Sequence, residues 1–75
     1  MSGRSLRGVR GKEALRALVR GGGVVRPGRG DHVNVKMPNG ILITIPGKHE
    51  LKIGLLKAVL KKAGLTEERF MELLR

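Results

Sequence analysis

The stretch His32-Val33-Asn34-Val35-Lys36-Met37 sets polar and apolar side chains in strict turn, and Pro38-Asn39-Gly40 follows it at once. Successive side chains on a strand point to opposite faces, so Val33, Val35 and Met37 share one face and His32, Asn34 and Lys36 the other. Asn39-Gly40 suits a type I′ turn, whose two central residues need positive φ, and residues 41–45 then read as the returning strand. A hairpin with one face for the core therefore governs the fold, and His32 projects from the other face.

What surrounds the hairpin is limited by size. A chain of 75 residues, 40% of them hydrophobic, forms one small domain with a modest core; at this length only about 60% of the unfolded surface is buried. There is no cysteine, so neither a disulfide nor a thiolate metal site can staple the fold, and a reducing compartment is expected. Apolar runs such as Ile41-Leu42-Ile43 are far too short to span a bilayer, and the amino terminus lacks the apolar stretch of a signal peptide. A soluble, cytoplasmic protein is expected.

Residues 1–10 mix Ser, Gly and Arg with only Leu6 and Val9 apolar, the pattern of a flexible basic arm ahead of a single domain over 11–75. From Lys12 to Arg20, Ala14, Leu15, Leu18 and Val19 follow helical spacing, with Lys12, Arg16 and Arg20 on the other side, and Gly21-Gly22-Gly23 ends that helix. Val24-Val25 reads as a short strand closed by Pro27. After the hairpin, Ile53, Leu56, Val59, Leu60 and Ala63 make an apolar stripe with Lys57, Lys61 and Lys62 turned outward, and Gly64 stops it. Thr66 is placed to cap a last short helix, with Glu67 and Glu68 at its positive end and Phe70, Leu73 and Leu74 available for packing. The order α-β-β-β-α-α predicts an α+β, two-layer sandwich: a three-stranded antiparallel sheet with helices on one face, as in double-stranded-RNA-binding domains.

The formal net charge is +10. Residues 1–62 carry fourteen Lys and Arg against Glu13, Asp31 and Glu50, whereas residues 63–75 net −1. Cations spread over many sites point to a polyanion, and each phosphate they neutralise releases condensed counterions, which favours nucleic acid over an anionic membrane. Other chemistries are poorly served. Two histidines seventeen residues apart, with no cysteine and only two mid-chain carboxylates, do not make a zinc or two-metal site, and neither metal nor cofactor is expected. The glycine clusters do not open a helix after a strand as a phosphate loop must, so they read as turns and caps. Phe70 is the lone aromatic, which rules out a base-stacking platform and leaves recognition to backbone and shape.

Five short motifs occur in order: Gly30-Asp31-His32, Pro38-Asn39-Gly40, Thr44-Ile45-Pro46, Glu50-Leu51-Lys52-Ile53-Gly54, and Gly64-Leu65 with Thr66-Glu67-Glu68. In this succession the chain resembles HicA-type toxins of toxin–antitoxin pairs over roughly residues 11–74. It departs from their pattern at Gly23, where an aromatic is usual, and in the Arg26-Pro27-Gly28-Arg29 lead to the histidine. The resemblance implies an mRNA-cleaving endoribonuclease with His32 as catalytic residue and a HicB-type antitoxin as protein partner.

Imidazole is suited to that work, since it can take the ribose 2′ proton or protonate the leaving oxygen near neutral pH. Arg29 and Lys36 are the candidates to stabilise phosphoryl charge, with Lys12, Arg16, Lys52, Lys57, Lys61 and Lys62 as further RNA contacts. Asp31 is not expected to bond His32, because neighbours on a strand point oppositely. His49 is assigned no catalytic part. The alternative function is a basic RNA-binding module without catalysis, in which His32 is an ordinary exposed strand residue.

Overall fold

The computed structural model describes residues 6–75. The chain forms α1 (Gly11–Arg20), β1 (Val24–Arg26), β2 (His32–Lys36), β3 (Leu42–Pro46), α2 (Ile53–Ala63) and α3 (Glu67–Leu73). The sheet runs β1-β2-β3, each strand antiparallel to the next, with Arg26 opposite Asn34, Asn34 opposite Thr44, Lys36 opposite Leu42 and His32 opposite Pro46. This is the α+β arrangement read from the sequence. Val35, Ile43 and Ile45 on one sheet face are buried with Leu18 of α1, Leu56 and Leu60 of α2, and Phe70 of α3. The alternation of β2 thus sends Val35 to the core, leaves Val33 half-buried, and leaves His32 and Lys36 exposed on the uncovered face.

Local chemistry sets the helix ends. Thr66 accepts a hydrogen bond from the Arg69 amide at 3.0 Å, the cap expected for α3. Gly64, at φ 73°, closes α2, and the Leu65 amide reaches back to the Leu60 carbonyl at 3.0 Å. Arg20 donates to the carbonyls of Leu73 and Arg75, so its guanidinium serves the end of α3, where cations are favoured.

Three expectations are corrected. The hairpin turn is not type I′: among the described residues no non-glycine has positive φ, and only Gly40 of the turn does, at 86°. The Met37 amide donates to the Ile41 carbonyl and the Gly40 amide to the Met37 carbonyl, both at 2.9 Å. A two-residue loop would need an amide at position 38 to close the ladder, and Pro38 has none. Proline instead takes the second position of the turn, and Gly40 supplies the left-handed residue that follows it.

The basic arm expected over 1–10 does not extend to Leu6–Arg10. Its first five residues lie outside the described ones, but Leu6 and Val9 are buried in the core, the Leu51 amide donates to the Val9 carbonyl at 2.8 Å, and Arg10 bridges Glu50. Two apolar side chains suffice because a neighbouring stretch of backbone holds the segment in place. On α1, Ala17 rather than Val19 is buried, and Leu15 is only half-buried. Helical spacing allows either edge of the stripe, and α1 packs against α3 as well as against the sheet.

Candidate active site

The turn before β2 fixes where His32 stands. The His32 amide donates to the Arg29 carbonyl at 2.9 Å, with Gly30 left-handed at φ 59°. Gly28 passes directly against the start of the strand, where a Cβ would lie 2.1 Å from the His32 carbonyl oxygen. No side chain fits there.

Asp31 precedes the strand, so the alternation rule does not apply to it. Its carboxylate faces both histidines: Oδ1 lies 3.4 Å from His32 Nδ1, and Oδ2 lies 3.4 Å from His49 Nε2. This corrects the expectation that Asp31 would turn away from His32. It also brings in His49, to which residue spacing assigns no catalytic part. The Asp31 side chain is 25% exposed, that of His32 55% and that of His49 72%. At 3.4 Å the contacts are longer than formed hydrogen bonds but within ion-pair reach. With Nδ1 of His32 facing the carboxylate, Nε2 is the nitrogen left for a substrate.

Backbone bonds hold these three residues together. The Gly47 amide donates to the Asp31 carbonyl at 2.7 Å, and the Gly11 amide at the start of α1 donates to the His49 carbonyl at 2.8 Å. Arg10 donates through its guanidinium to the Lys48 carbonyl at 3.3 Å. Because the loop after β3 is pinned to the start of α1 and to the turn before β2, residues distant in sequence reach one carboxylate. Nothing in residue spacing signals this.

Along the same face, the Asn34 Nδ2 donates to the Pro27 carbonyl at 2.7 Å and its Oδ1 accepts from the Thr44 hydroxyl at 2.6 Å. These two bonds brace the sheet and leave one N–H and one oxygen lone pair of the amide. Arg26, Pro27, Asn34, Lys36, Gly40 and Leu42 line a shallow open depression on this face, so Arg26, absent from the sequence candidates, belongs with Lys36.

The candidate phosphate contacts fall into two sets. Lys36 lies on the His32 face and Arg29 in the turn leading to it, both exposed. Lys12 and Arg16 point away from the buried Ala14, Ala17 and Leu18 of α1, and Lys57, Lys61 and Lys62 lie off the buried Leu56, Val59 and Leu60 of α2. Lys57, Lys61 and Lys62 thus lie on the side of α2 away from the core, whereas Lys12 follows Gly11, whose amide bonds the His49 carbonyl, at the His49 end of α1. Lys52 sits at the N-cap of α2, just after the His49 loop.

Among the described residues, no group of three or more His, Cys, Asp or Glu is arranged to hold a metal ion, and no helix is long and apolar enough to cross a membrane.

The chain is thus a small α+β domain with helices on one sheet face and an exposed histidine beside arginine and lysine on the other. Residues 11–65 match the family model for the HicA toxin of bacterial toxin–antitoxin pairs. The match covers more than half of the chain, which belongs to the HicA toxin family. Among curated proteins, none matches it.

Proposed function

We propose that the chain is the toxin of a type II toxin–antitoxin pair and acts in the cytoplasm as a metal-independent endoribonuclease on mRNA, with His32 as its catalytic residue. The observation that carries this reading is the exposed His32 ring on the uncovered sheet face, its Nδ1 turned to Asp31 and its Nε2 left for substrate. An imidazole so oriented can accept the ribose 2′ proton or donate one to the leaving oxygen. Lys36 and Arg26 on the same face, with Arg29 beside it, supply positive charge for the phosphate backbone and for the charge that develops on phosphorus.

The HicB-type antitoxin docks on this same face. The apolar side chains of Val24 and Leu42 are exposed on either side of Lys36, in one row across the three strands. That pairing of apolar area with positive charge suits a partner carrying acidic groups, since opposite potentials steer association.

The test is to incubate the purified chain with a mixed mRNA pool in EDTA and map the cleaved ends, with His32→Ala in parallel. Wild type is expected to cleave. His32→Ala is expected to slow cleavage by roughly 10²- to 10⁴-fold, with RNA affinity kept and stability changed by no more than about 0.5 kcal/mol, as for an exposed side chain. RNA binding without cleavage by wild type would favour the module without catalysis. A large fall in melting temperature for the variant would make His32 structural.

A further inference from the structure

We propose that His49 is a second catalytic residue: Asp31 holds the two imidazoles on its two oxygens, and these share the two proton transfers of RNA cleavage. The inference rests on the ribonuclease reading of His32 and extends it to a residue from another loop. Its basis is geometric. Asp31 Oδ1 and Oδ2 each lie 3.4 Å from a ring nitrogen, Nδ1 of His32 and Nε2 of His49. Each ring therefore turns one nitrogen to the carboxylate and leaves the opposite one, Nε2 of His32 and Nδ1 of His49, for substrate. Closing either contact to a hydrogen bond would orient that imidazole and fix its tautomer, as the aspartate of a hydrolase triad does for its histidine.

His49 is not placed by chance contact of a loose loop. Its carbonyl accepts from the Gly11 amide at 2.8 Å, and two residues earlier the Gly47 amide donates to the carbonyl of Asp31 itself at 2.7 Å. A Cβ on Gly11 would stand 2.0 Å from the Pro46 carbonyl oxygen, so the start of α1 presses directly on this loop. The loop backbone is thus tied on both sides of the carboxylate, while the His49 side chain remains 72% exposed.

Cleavage without an external nucleophile needs two proton movements. The ribose 2′-oxygen attacks phosphorus as its proton passes to one ring, and the bond from phosphorus to the 5′-oxygen breaks as the other ring gives that oxygen a proton. The products are a 2′,3′-cyclic phosphate and a 5′-hydroxyl, with no net proton gained or lost. One imidazole supplies half of this, and two imidazoles beside a single carboxylate can supply both halves.

Wild type, His32→Ala and His49→Ala are compared in single-turnover cleavage of one RNA, made with its natural 5′-oxygen leaving group and again with a 5′-bridging sulfur, which leaves without being protonated. Melting temperature and RNA affinity are measured alongside. On natural RNA each variant is expected to lose roughly 10²- to 10⁴-fold, with ends carrying cyclic phosphate in the wild-type product. On the sulfur substrate one variant alone, whichever lacks the acid, is expected to return to within about tenfold of wild type; a residue that merely positions Asp31 would not show this selective rescue. Cleavage by His49→Ala at the wild-type rate, with His32→Ala inactive, overturns the part given to His49 and leaves His32 standing. Loss in both variants with rescue of neither, or of both, overturns the division of labour. Full cleavage by His32→Ala overturns the reading of the site itself.

Discussion

Gly28 and His32 meet backbone to backbone: the space a side chain would need at Gly28 is taken by the His32 carbonyl, 2.1 Å from the position of a Cβ. The approach lets the turn fold back tightly enough for the His32 amide to reach the Arg29 carbonyl, and it sets the first residue of β2.

Gly28→Ala is therefore expected to push β2 and the His32 ring out of place. Forcing a methyl group into occupied backbone space costs roughly 1–3 kcal/mol, and a displaced imidazole slows cleavage well beyond any loss in RNA affinity. Gly54→Ala is the control. Gly54 lies within α2 with nothing near its missing Cβ, so alanine there is expected to stabilise by about 0.5–1 kcal/mol. Thermal melts and single-turnover cleavage of the two variants check both, and equal behaviour would remove the steric account.

Val9 and Leu6 test how far the domain reaches toward the amino terminus. Val9 is fully buried and its carbonyl is bonded by Leu51 just before α2. Val9→Ala is expected to cost about 2 kcal/mol, by removal of two buried methyl groups and the cavity left behind, a large share of the stability of so small a domain. Denaturant unfolding measures it. Deletion of residues 1–10 is expected to unfold the chain, whereas a mobile arm could be removed without effect.

The hairpin, both long helices and the outward face of His32 were legible because each rests on a local rule: alternation of two in β2, spacing of three to four in α2, the Thr66 cap. Two kinds of feature were not. The turn type is one, because Asn39-Gly40 signals a type I′ turn locally while the amide that Pro38 lacks matters only once the ladder is formed. The meeting of Asp31 with His49 depends on the Gly11–His49 and Gly47–Asp31 backbone bonds, which join segments far apart in sequence and leave no periodic trace. The burial of Leu6 and Val9 was hidden for the same reason.

Asn39 links the hairpin tip to the helical layer. Its Nδ2 donates to the Lys62 carbonyl at 2.9 Å, near the end of α2, and its Oδ1 accepts from the Ile41 amide at 3.0 Å. Asn39→Ala removes both bonds and is expected to cost about 1–2 kcal/mol. Asn39→Asp keeps the acceptor for Ile41 but places a carboxylate against the Lys62 carbonyl, so it is expected to destabilise as well. Melting temperatures near wild type for both variants would show that the tip is not held by α2.

The last prediction separates the two sets of cations. Phosphate contacts carry little sequence information and make affinity fall steeply with salt, so RNA binding by the wild type is expected to weaken strongly as ionic strength rises. The face that bears His32 also bears Arg26 and Lys36, whereas Lys57, Lys61 and Lys62 are on the outer side of α2. Replacing Arg26 and Lys36 with alanine should therefore lower kcat/KM through loss of both binding and charge stabilisation in the transition state. Replacing Lys57, Lys61 and Lys62 should lower affinity for many RNAs by similar factors and reduce the salt slope, while the single-turnover rate at saturating RNA stays near wild type. Salt-dependent binding isotherms and saturating cleavage rates for the two variants decide the matter. If the α2 triple variant loses its saturating rate while the Arg26 and Lys36 double variant keeps its own, the substrate lies along the helices and the open sheet face is not its path.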